Sequence, residues 1–346
     1  MDALVIGGTG LISTGIVKHL LARGARVSLF NRGLRGQGSQ EGLRGLPEST
    51  LPPGVRQIVG DRSDPAAFER AFEKSRYDVV IDMICFTPAD AESTARAFGG
   101  RCEQLQLCST VCTYGAEIPP QVLTGELFPQ RPVTGYGRDK AACERILERA
   151  AERGRFALTI LRPSHTYGPG GPLLDQLEID TASWDRVARG RPVLCAGDGL
   201  GLWQPTHRDD CGKLFAYAAL NPRTYGEAYN ATGDEVFTWR DYFRQGAAAL
   251  DTRARLIFAP ADWLLGQLPD RLAFLREVSR FHGAYSSAKA KAHVPEFIAS
   301  IGFQQGARET FADLRRRGAF RDSTADEGYQ RVVDAALSLG FAVVEA

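Results

Sequence analysis

Two side chains at helical spacing have the types that acid–base chemistry on a hydroxyl group needs. Tyr136 and Lys140 are four positions apart, so in a helix they lie on the same face. A lysine ammonium lowers the pKa of a neighbouring phenol, which lets a tyrosine act as a general base near neutral pH. Thr110 follows a predicted strand, and its hydroxyl can hydrogen-bond the same substrate oxygen. The sequence therefore predicts Thr110, Tyr136 and Lys140 as a catalytic set.

A glycine-rich turn near the N-terminus predicts a phosphate-binding loop. The apolar run at 3–6 leads directly into Gly-Gly-Thr-Gly at 7–10, and a helical pattern follows. Glycines permit a tight turn and a close approach of backbone N–H groups to a pyrophosphate, and the helix start adds partial positive charge. The residues expected to bind a dinucleotide here are Gly7, Thr9, Gly10, Leu11 and Ile12.

The residues after the second and third predicted strands bear on which dinucleotide is bound. Asn31 and Arg32 end the second strand, where a carboxylate would indicate NAD and an arginine can hold the 2′-phosphate of NADP. Because no carboxylate is present, this feature favours NADP over NAD. After the third strand, the Asp61 carboxylate is positioned to accept a hydrogen bond from the adenine amino group, and Arg62 follows it. All four residues are therefore predicted to bind the cofactor.

These residues must be positioned by a fold of alternating strands and helices. Over the first 165 residues, short apolar strands alternate with amphipathic helices, which indicates βαβ units and a buried parallel sheet. The predicted class is α/β, a Rossmann-type doubly wound parallel sheet with a smaller, mostly helical substrate-binding region on the C-terminal side. The predicted strands are Ala3–Ile6, Arg26–Phe30, Val55–Val59, Asp78–Met83, Gln104–Cys108 and Ala157–Arg162. The predicted helices in this part are Leu11–Arg23, Pro65–Lys74, Pro88–Phe98 and Asp139–Arg153.

The change of rhythm after residue 163 predicts the domain organisation. Gly, Pro and aromatic residues become more frequent there, and helical segments dominate from about residue 239. The loop Gly33–Gly54, rich in Gly, Pro and Arg, is expected to be mobile, and a C-terminal helix is expected over Gly328–Leu339. The predicted units are a dinucleotide-binding domain at 1–164, to which 203–230 return, a substrate-binding region at 165–202 and 231–320, and a linker with a helix at 321–346.

The composition excludes several classes of protein. The chain has 346 residues, and 42 Lys and Arg against 41 Asp and Glu leave a net charge of +1, so the overall basic surface of a nucleic-acid-binding protein is absent. No apolar run is as long as a membrane span, and no secretory leader is recognisable. Seven cysteines without paired spacing and only five histidines indicate neither a disulfide framework nor a metal site. A cytoplasmic protein with reduced thiols is expected.

The order and spacing of these motifs resemble a known family. The chain is similar to the extended short-chain dehydrogenases/reductases of the NAD-dependent epimerase/dehydratase type, which act mainly on nucleotide sugars. The resemblance covers about residues 1–315. The matching segments are Gly7–Ser13, Gly60–Arg62, Ser109–Gly115, Tyr136–Lys140, Leu161–Pro169, Gly197–Gly199 and His207–Asp210.

The resemblance implies roles for individual residues. Tyr136 is then the acid/base, Lys140 also holds the nicotinamide ribose, and Thr110 is the hydroxyl partner of Tyr136. Cys112 matches the cysteine that 3,5-epimerising members use as a second acid/base, although a buried small hydrophobe is the alternative interpretation. A cofactor retained through the cycle and a homodimer are also implied.

Three positions depart from the family pattern around the substrate. His165 stands where an asparagine commonly reaches the substrate, and Trp203 lies near the place of an arginine that commonly clamps the substrate diphosphate. Cys85 belongs to a Met-Ile-Cys segment that replaces two small alanines after the fourth strand. Because a bidentate arginine is the natural phosphate ligand, its loss indicates that a diphosphate is held otherwise or is absent. The residues expected to contact substrate are Thr110, Cys85, His165 and Trp203.

Three hypotheses for function follow. The first is a sugar or nucleotide-sugar epimerase that uses transient hydride transfer through a keto intermediate and retains its NAD(P). The second is an NADP-dependent keto-sugar reductase or dehydrogenase with net cofactor turnover, which Asn31 and Arg32 favour. The third is a non-catalytic relative that binds a cofactor or RNA, against which the near-neutral charge and the complete catalytic set argue. The expected partner is therefore a small sugar-type molecule, and neither nucleic acid nor a membrane.

Overall fold

A computed structural model describes residues 1–33, 51–116 and 125–346. Most of the loop predicted over Gly33–Gly54 lies outside the described residues. The strands are β1 Asp2–Ile6, β2 Arg26–Asn31, β3 Arg56–Val59, β4 Tyr77–Asp82, β5 Cys102–Cys108, β6 Ala157–Pro163, β7 Thr166–Tyr167, β8 Val193–Ala196, β9 Leu202–Trp203, β10 Thr206–His207, β11 Glu227–Ala231, β12 Phe237–Thr238, β13 Arg255–Ala259 and β14 Val343–Glu345. The helices are α1 Leu11–Ala22, α2 Pro65–Phe72, α3 Pro88–Phe98, α4 Gly135–Glu152, α5 Ala182–Ala188, α6 Arg208–Ala218, α7 Trp239–Ala249, α8 Ala261–Gln267, α9 Ala288–His293, α10 Phe303–Arg316 and α11 Glu327–Ser338.

Seven strands form the parallel sheet that the sequence predicts. Their order is β11-β6-β5-β4-β1-β2-β3, and all neighbouring pairs are parallel. The order reverses between β1 and β4, and ligands of such sheets bind at this switch point, beyond the carboxyl ends of the strands. The glycine turn after β1 and the segment Ser109–Gly115 after β5 both lie at this edge. The fold thus gathers the predicted cofactor and catalytic residues at one edge of the sheet.

Apolar side chains cover both faces of the sheet. One core cluster joins β1, β2 and β4 to α1 and α6, and the other joins the opposite face to α2, α3 and α4. The strands are buried on both sides, which explains their nearly continuous apolar sequences. The Rossmann-type α/β class is confirmed.

The C-terminal side contains a second, smaller core together with short helices. Strands β8, β13 and β14 form a three-stranded sheet in which β14 runs antiparallel to β13. Buried aromatic side chains, including Trp184, Trp239 and Tyr242, fill the space between α5, α7 and α10. The strand β14 lies in the segment predicted as a linker and a helix, and its pairing with a strand almost ninety positions earlier leaves no local pattern in the sequence.

The predicted and observed helix bounds agree best where the sequence contains a recognisable capping motif. Helix α3 has the predicted bounds, and a reciprocal capping box between Thr87 and Asp90 around Pro88 sets its start. Helix α4 begins at Gly135, four residues earlier than predicted, since Thr134 caps it by accepting a hydrogen bond from the Gly137 N–H at 2.8 Å. Two glycines in the first turn of α4 have low helix propensity, so propensity alone places the start of the helix too late.

The described residues contain neither a membrane-spanning helix nor a metal-ligating cluster. No helix within residues 1–33, 51–116 and 125–346 is both long and apolar enough to cross a membrane. In the same residues, His, Cys, Asp and Glu side chains form no group of three or more that could hold a metal ion.

Candidate active site

Helix α4 carries the predicted Tyr136–Lys140 pair to the edge of the sheet. Lys140 is 1% exposed, and its ammonium donates hydrogen bonds to the carbonyl oxygens of Cys85 at 2.9 Å and Cys108 at 2.7 Å. These two carbonyls follow β4 and end β5, so Lys140 ties the two strand ends together. Its Nζ lies 5.8 Å from the centroid of the Tyr136 ring. The spacing in sequence therefore corresponds to a real juxtaposition of the two side chains.

The surroundings of the Tyr136 phenol shift its pKa upward. Burial raises its pKa, and the neighbouring Cys108 and Cys112 thiols act in the same direction, while a side-chain hydrogen bond with Thr110 lowers it. The expected lowering of the Tyr136 pKa by Lys140 stays a prediction. A protonated phenol is suited to donate a proton to a substrate oxygen.

A short 3₁₀ turn, Val111–Thr113, holds Thr110 beside the phenol. The Thr110 hydroxyl oxygen accepts a hydrogen bond from the Cys112 N–H at 3.2 Å, and the Thr113 hydroxyl donates to the Thr110 carbonyl at 3.0 Å. The first bond orients the Thr110 side chain, and the second holds the backbone of the turn. The structure thus brings Thr110 and Tyr136 together, with Lys140 next to them.

Cys112 lies on the same turn and lines a pocket. Burial raises the pKa of its thiol, although a side-chain hydrogen bond with Thr110 acts in the opposite direction. The thiol is therefore neutral near pH 7 and can act only as a proton donor in its resting state. Its chemical role stays a prediction.

A buried ionic network lies beneath the catalytic turn, and sequence reasoning missed its centre, Glu144. The Glu144 carboxylate accepts two hydrogen bonds from the Arg162 guanidinium, at 2.6 and 3.0 Å. It also accepts one from the Ser109 hydroxyl. Arg162 donates to the Tyr114 hydroxyl at 2.9 Å, which in turn donates to Asn230 at 2.7 Å. Ser109 and Tyr114 flank the turn that carries Thr110, so the network anchors both of its ends.

The turn after β1 has the geometry of a dinucleotide site. Gly7 has a φ of +79°, which L side chains rarely adopt, and a Cβ there would come within 2.5 Å of Ile84. The Ser13 hydroxyl closes the turn by donating to the Gly7 carbonyl at 2.8 Å. No side chain of the described residues caps the start of α1, and a Cβ on Gly10 would meet nothing nearer than 3.5 Å. The first N–H groups of the helix, at Leu11 and Ile12 after the half-buried Thr9, are therefore suited to hold a pyrophosphate.

The end of β2 offers hydrogen-bond donors rather than a carboxylate. The Asn31 side-chain oxygen accepts from the Gly33 N–H and from Gln57, while its Nδ2 is buried without a hydrogen-bond partner among the described residues. Arg32 is exposed, and its charge contributes to lowering the pKa of the exposed Asp61, after hydrogen bonds from Ser63. An unsatisfied donor beside a cation fits a phosphate or ribose oxygen.

Arg62, also predicted to bind the cofactor, has a different environment. Its guanidinium is buried between Asp82 at 3.0 Å and Asp90 at 3.2 Å, and donates to the Thr94 hydroxyl at 2.5 Å. The side chain therefore links β4 to α3 in the interior and does not reach a cofactor. Only the Arg62 backbone remains for the predicted contact.

The residues predicted to contact substrate separate into two groups. His165 and Trp203 stack at 5.6 Å between ring centroids, and Trp203 both stacks on Trp239 at 4.7 Å and lines the pocket with Cys112. Burial lowers the pKa of His165 to about 3, and its Nε2 has no partner in the described part of the chain. Cys85, in contrast, is fully buried, so its thiol does not reach a substrate surface and only its carbonyl serves the site, through Lys140.

Helix α4 approaches the catalytic turn so closely that only glycine fits at the contact. A Cβ on Gly137 would lie 2.5 Å from the Cys112 carbonyl oxygen. We expect Gly137→Ala to displace α4, and with it Tyr136, and to lower kcat by about tenfold or more, since displacements on the order of 1 Å cost large factors in rate. Steady-state kinetics measures this effect. Gly135→Ala on the same turn, where the nearest atom is 3.8 Å away, is the matched control and should retain activity; equal kcat values for the two variants would contradict this account of the contact.

The fold and the site together define an enzyme that uses an NAD-type dinucleotide. The model of the NAD dependent epimerase/dehydratase family matches residues 3–232, and the chain belongs to this family, of the extended short-chain dehydrogenase/reductase type. A 2′-dehydrokanamycin reductase from Streptomyces kanamyceticus is 30% identical over 281 residues, covering 81% of this chain and 75% of the relative.

Two other proteins are similar to most of the chain. The chloroplast stem-loop binding protein of 41 kDa b from Arabidopsis thaliana is 24% identical over 337 residues, covering 94% of this chain and 82% of the relative. The solved structure of UDP-glucuronic acid 4-epimerase from Bacillus cereus, in complex with UDP-glucuronic acid and NAD, shares the fold with a TM-score of 0.71 at 16% identity, covering 91% of this chain and 99% of that chain.

Proposed function

We propose that the protein is an NADP-dependent reductase of a keto group on a sugar-type substrate, with net turnover of the cofactor. This reverses the order in which the sequence alone ranks the epimerase and reductase hypotheses. The observation that carries the proposal is the Thr110–Tyr136–Lys140 set beside a pocket whose described lining residues include no arginine. The 30% identical relative is itself named a reductase, which supports the same direction of reaction.

The catalytic phenol can supply the proton that reduction needs. A reductase needs an acid on the ketone oxygen, and the raised pKa of Tyr136 keeps its phenol in the acid form.

The bound dinucleotide would supply hydride to the carbonyl carbon. The protein's own groups act on the oxygen: Thr110 donates a hydrogen bond to it, and Tyr136 transfers its phenolic proton as negative charge develops there. Lys140 stabilises the resulting phenolate electrostatically and holds the two strand ends in register. The network around Glu144 keeps the catalytic turn fixed while the proton moves.

We propose residues 165–202 and 231–320 as the side of the site that selects the substrate. Phe281 and Tyr285 supply aromatic walls, to which Trp203 is added from the adjoining segment 203–230. The Nε2 of His165, which has no partner among the described residues, is a candidate for a hydrogen bond to a substrate hydroxyl. No arginine or lysine lines the described pocket. A substrate without a diphosphate is therefore the better match.

The preference for NADP over NAD rests on the end of β2. We expect Arg32→Ala to weaken NADPH binding by about tenfold and to leave NADH binding nearly unchanged, because the variant loses a charge-assisted hydrogen bond to the 2′-phosphate. Titration of the nicotinamide fluorescence with each cofactor measures both affinities. Arg56→Ala, which removes an exposed arginine from the neighbouring strand, is the control. Equal losses for both cofactors in Arg32→Ala would remove the basis for NADP.

A retained-cofactor epimerase is the second candidate, favoured by the position of Cys112 in the pocket. A thiol there would protonate a carbon next to a ketone. Solvent proton exchange at substrate carbons, lost in Cys112→Ser, would support the epimerase.

The direct test of the reductase is mass spectrometry of ligands released from the purified protein, followed by assays with keto glycosides. Stoichiometric loss of NADPH absorbance with a keto glycoside is the expected result. Conversion of a sugar without any loss of NADPH would contradict it.

A further inference from the structure

The pocket next to the catalytic turn has an unusual charge character. Side chains that line it include Cys112, Trp203, Glu277, Phe281, His282 and Tyr285. Among the described residues that line the pocket, Glu277 is the one carboxylate, and none of them is a lysine or an arginine. The pocket of an enzyme that binds a diphosphate would need the opposite sign of charge.

The Glu277 carboxylate is not neutralised by its own surroundings. It has neither an ion-pair nor a hydrogen-bond partner within residues 1–33, 51–116 and 125–346. The two arginines nearest to it in sequence are bound elsewhere: Arg276 donates to the Pro269 carbonyl at 2.7 Å, and Arg280 pairs with Asp262 at 2.9 Å. The negative charge is therefore available to a ligand.

The backbone that carries Glu277 is itself unusual. Leu275–Ser279 forms a π-helical turn, a rare conformation that occurs frequently at functional sites. Leu275 and Ser279 are buried at its two ends, and the Ser279 hydroxyl donates to the Gln176 carbonyl. The turn is thus anchored in the core, while Glu277 stays exposed at the pocket.

The other walls suit the same kind of ligand. Trp203, Phe281 and Tyr285 are aromatic, and the π face of an aromatic ring attracts a cation as well as the apolar face of a ring substrate. His282 accepts a hydrogen bond from the Leu202 N–H at its Nδ1, at 3.1 Å, which leaves Nε2 as the donor of the neutral ring. A donor to hydroxyl groups therefore lies beside an acceptor for a cation.

We propose that the substrate is an amino sugar whose protonated amine pairs with Glu277. The inference rests on the proposed reductase function, whose catalytic turn borders the same pocket through Cys112. Glu277 selects a cationic glycoside and disfavours an anionic nucleotide sugar. Glu277 acts here as a binding residue, separate from the proton transfer by Tyr136.

A matched series of disaccharides tests this inference on the full chain in the presence of NADP. Chitosan disaccharide carries two free amines, N,N′-diacetylchitobiose carries acetylated nitrogens, and cellobiose carries hydroxyls at the same positions. At about pH 6, below the usual pKa of such amines, calorimetry or ligand-observed NMR measures the three affinities. We expect chitosan disaccharide to bind at least about fivefold more tightly than either neutral compound, the size of one partly exposed charge-assisted hydrogen bond.

Charge variants then assign the preference to one residue. Glu277→Gln should bind the three compounds equally, and Glu277→Asp should keep part of the preference. Glu73→Gln, an exposed glutamate at the end of α2, makes the same change of charge away from the pocket and should leave the preference intact. Unchanged thermal unfolding and unchanged NADP affinity of Glu277→Gln establish that this variant is folded.

The outcomes separate this inference from the function on which it rests. Equal affinities in the wild type, no binding of any of the three compounds, or a preference that Glu277→Gln keeps would overturn the inference. If neutral keto glycosides consume NADPH while no amine preference exists, the reductase stands and the amino-sugar inference fails. If the preference exists but keto glycosides of either kind consume no NADPH, the proposed reductase fails while the cation site stands.

Discussion

Replacing Tyr136 with phenylalanine should lower kcat by about 10²–10⁴-fold, the usual contribution of a positioned acid or base. The substitution removes only the phenolic oxygen, which interacts with Thr110, and keeps the ring that packs near Lys140. The affinity for the dinucleotide should therefore change little. Single-turnover kinetics together with cofactor titration measures the two effects separately.

A tyrosine remote from the sheet edge serves as the control for this substitution. Tyr217 lies on α6, outside the proposed site, and its ring contacts Arg23. Tyr217→Phe removes only the hydroxyl of this side chain. It should leave kcat unchanged within about twofold, as expected for a surface substitution. Retention of more than about a tenth of the wild-type kcat by Tyr136→Phe would remove Tyr136 from its catalytic role.

Replacing Glu144 with glutamine should lower the free energy of unfolding by about 3–5 kcal/mol, because it leaves the Arg162 charge buried without its counter-ion. Arg162 and Glu144 are both almost fully buried, and the pair also holds Ser109 and Tyr114. Such a loss is a large part of the total stability of a typical protein. Chemical denaturation followed by circular dichroism measures it.

The exposed glutamate one turn further along α4 provides the matched control. Glu148→Gln makes the same chemical change at the surface and should shift stability by no more than about 0.5 kcal/mol. A double-mutant cycle with Arg162→Met should show strong coupling, since either single change breaks the same network. Additive losses in the cycle, or equal losses for Glu144→Gln and Glu148→Gln, would show that the network does not stabilise the turn.

The parallel sheet could be predicted from the sequence because each strand and helix has a short-range hydrophobic pattern. Apolar strands and amphipathic helices of the first 165 residues predict the α/β class, and a capping box at Thr87–Asp90 fixes one helix to the residue. Strand β14 and the three-stranded sheet were beyond prediction, since pairing between segments so distant along the chain leaves no short-range pattern. The early start of α4 was hidden for a different reason, namely the low helix propensity of Gly135 and Gly137.

The site residues that belong to a sequence motif could be predicted. The contacts that these residues make with segments distant along the chain could not. Thr110, Tyr136 and Lys140 meet as their spacing predicts. Burial cannot be inferred from a motif, so the enclosure of Cys85 and the two aspartates beside Arg62 could not be predicted. The partner of Arg162 and the lack of a partner for Glu277 among the described residues are properties of the folded chain.

Transfer of deuterium from the cofactor to the product tests the proposed reduction most directly. The enzyme is supplied with NADPH deuterated at the transferred position and with a keto glycoside, and the product is analysed by mass spectrometry. The account predicts one deuterium in each product molecule and an equimolar loss of NADPH. An isomerised sugar without deuterium, formed while the NADPH absorbance stays constant, would contradict it.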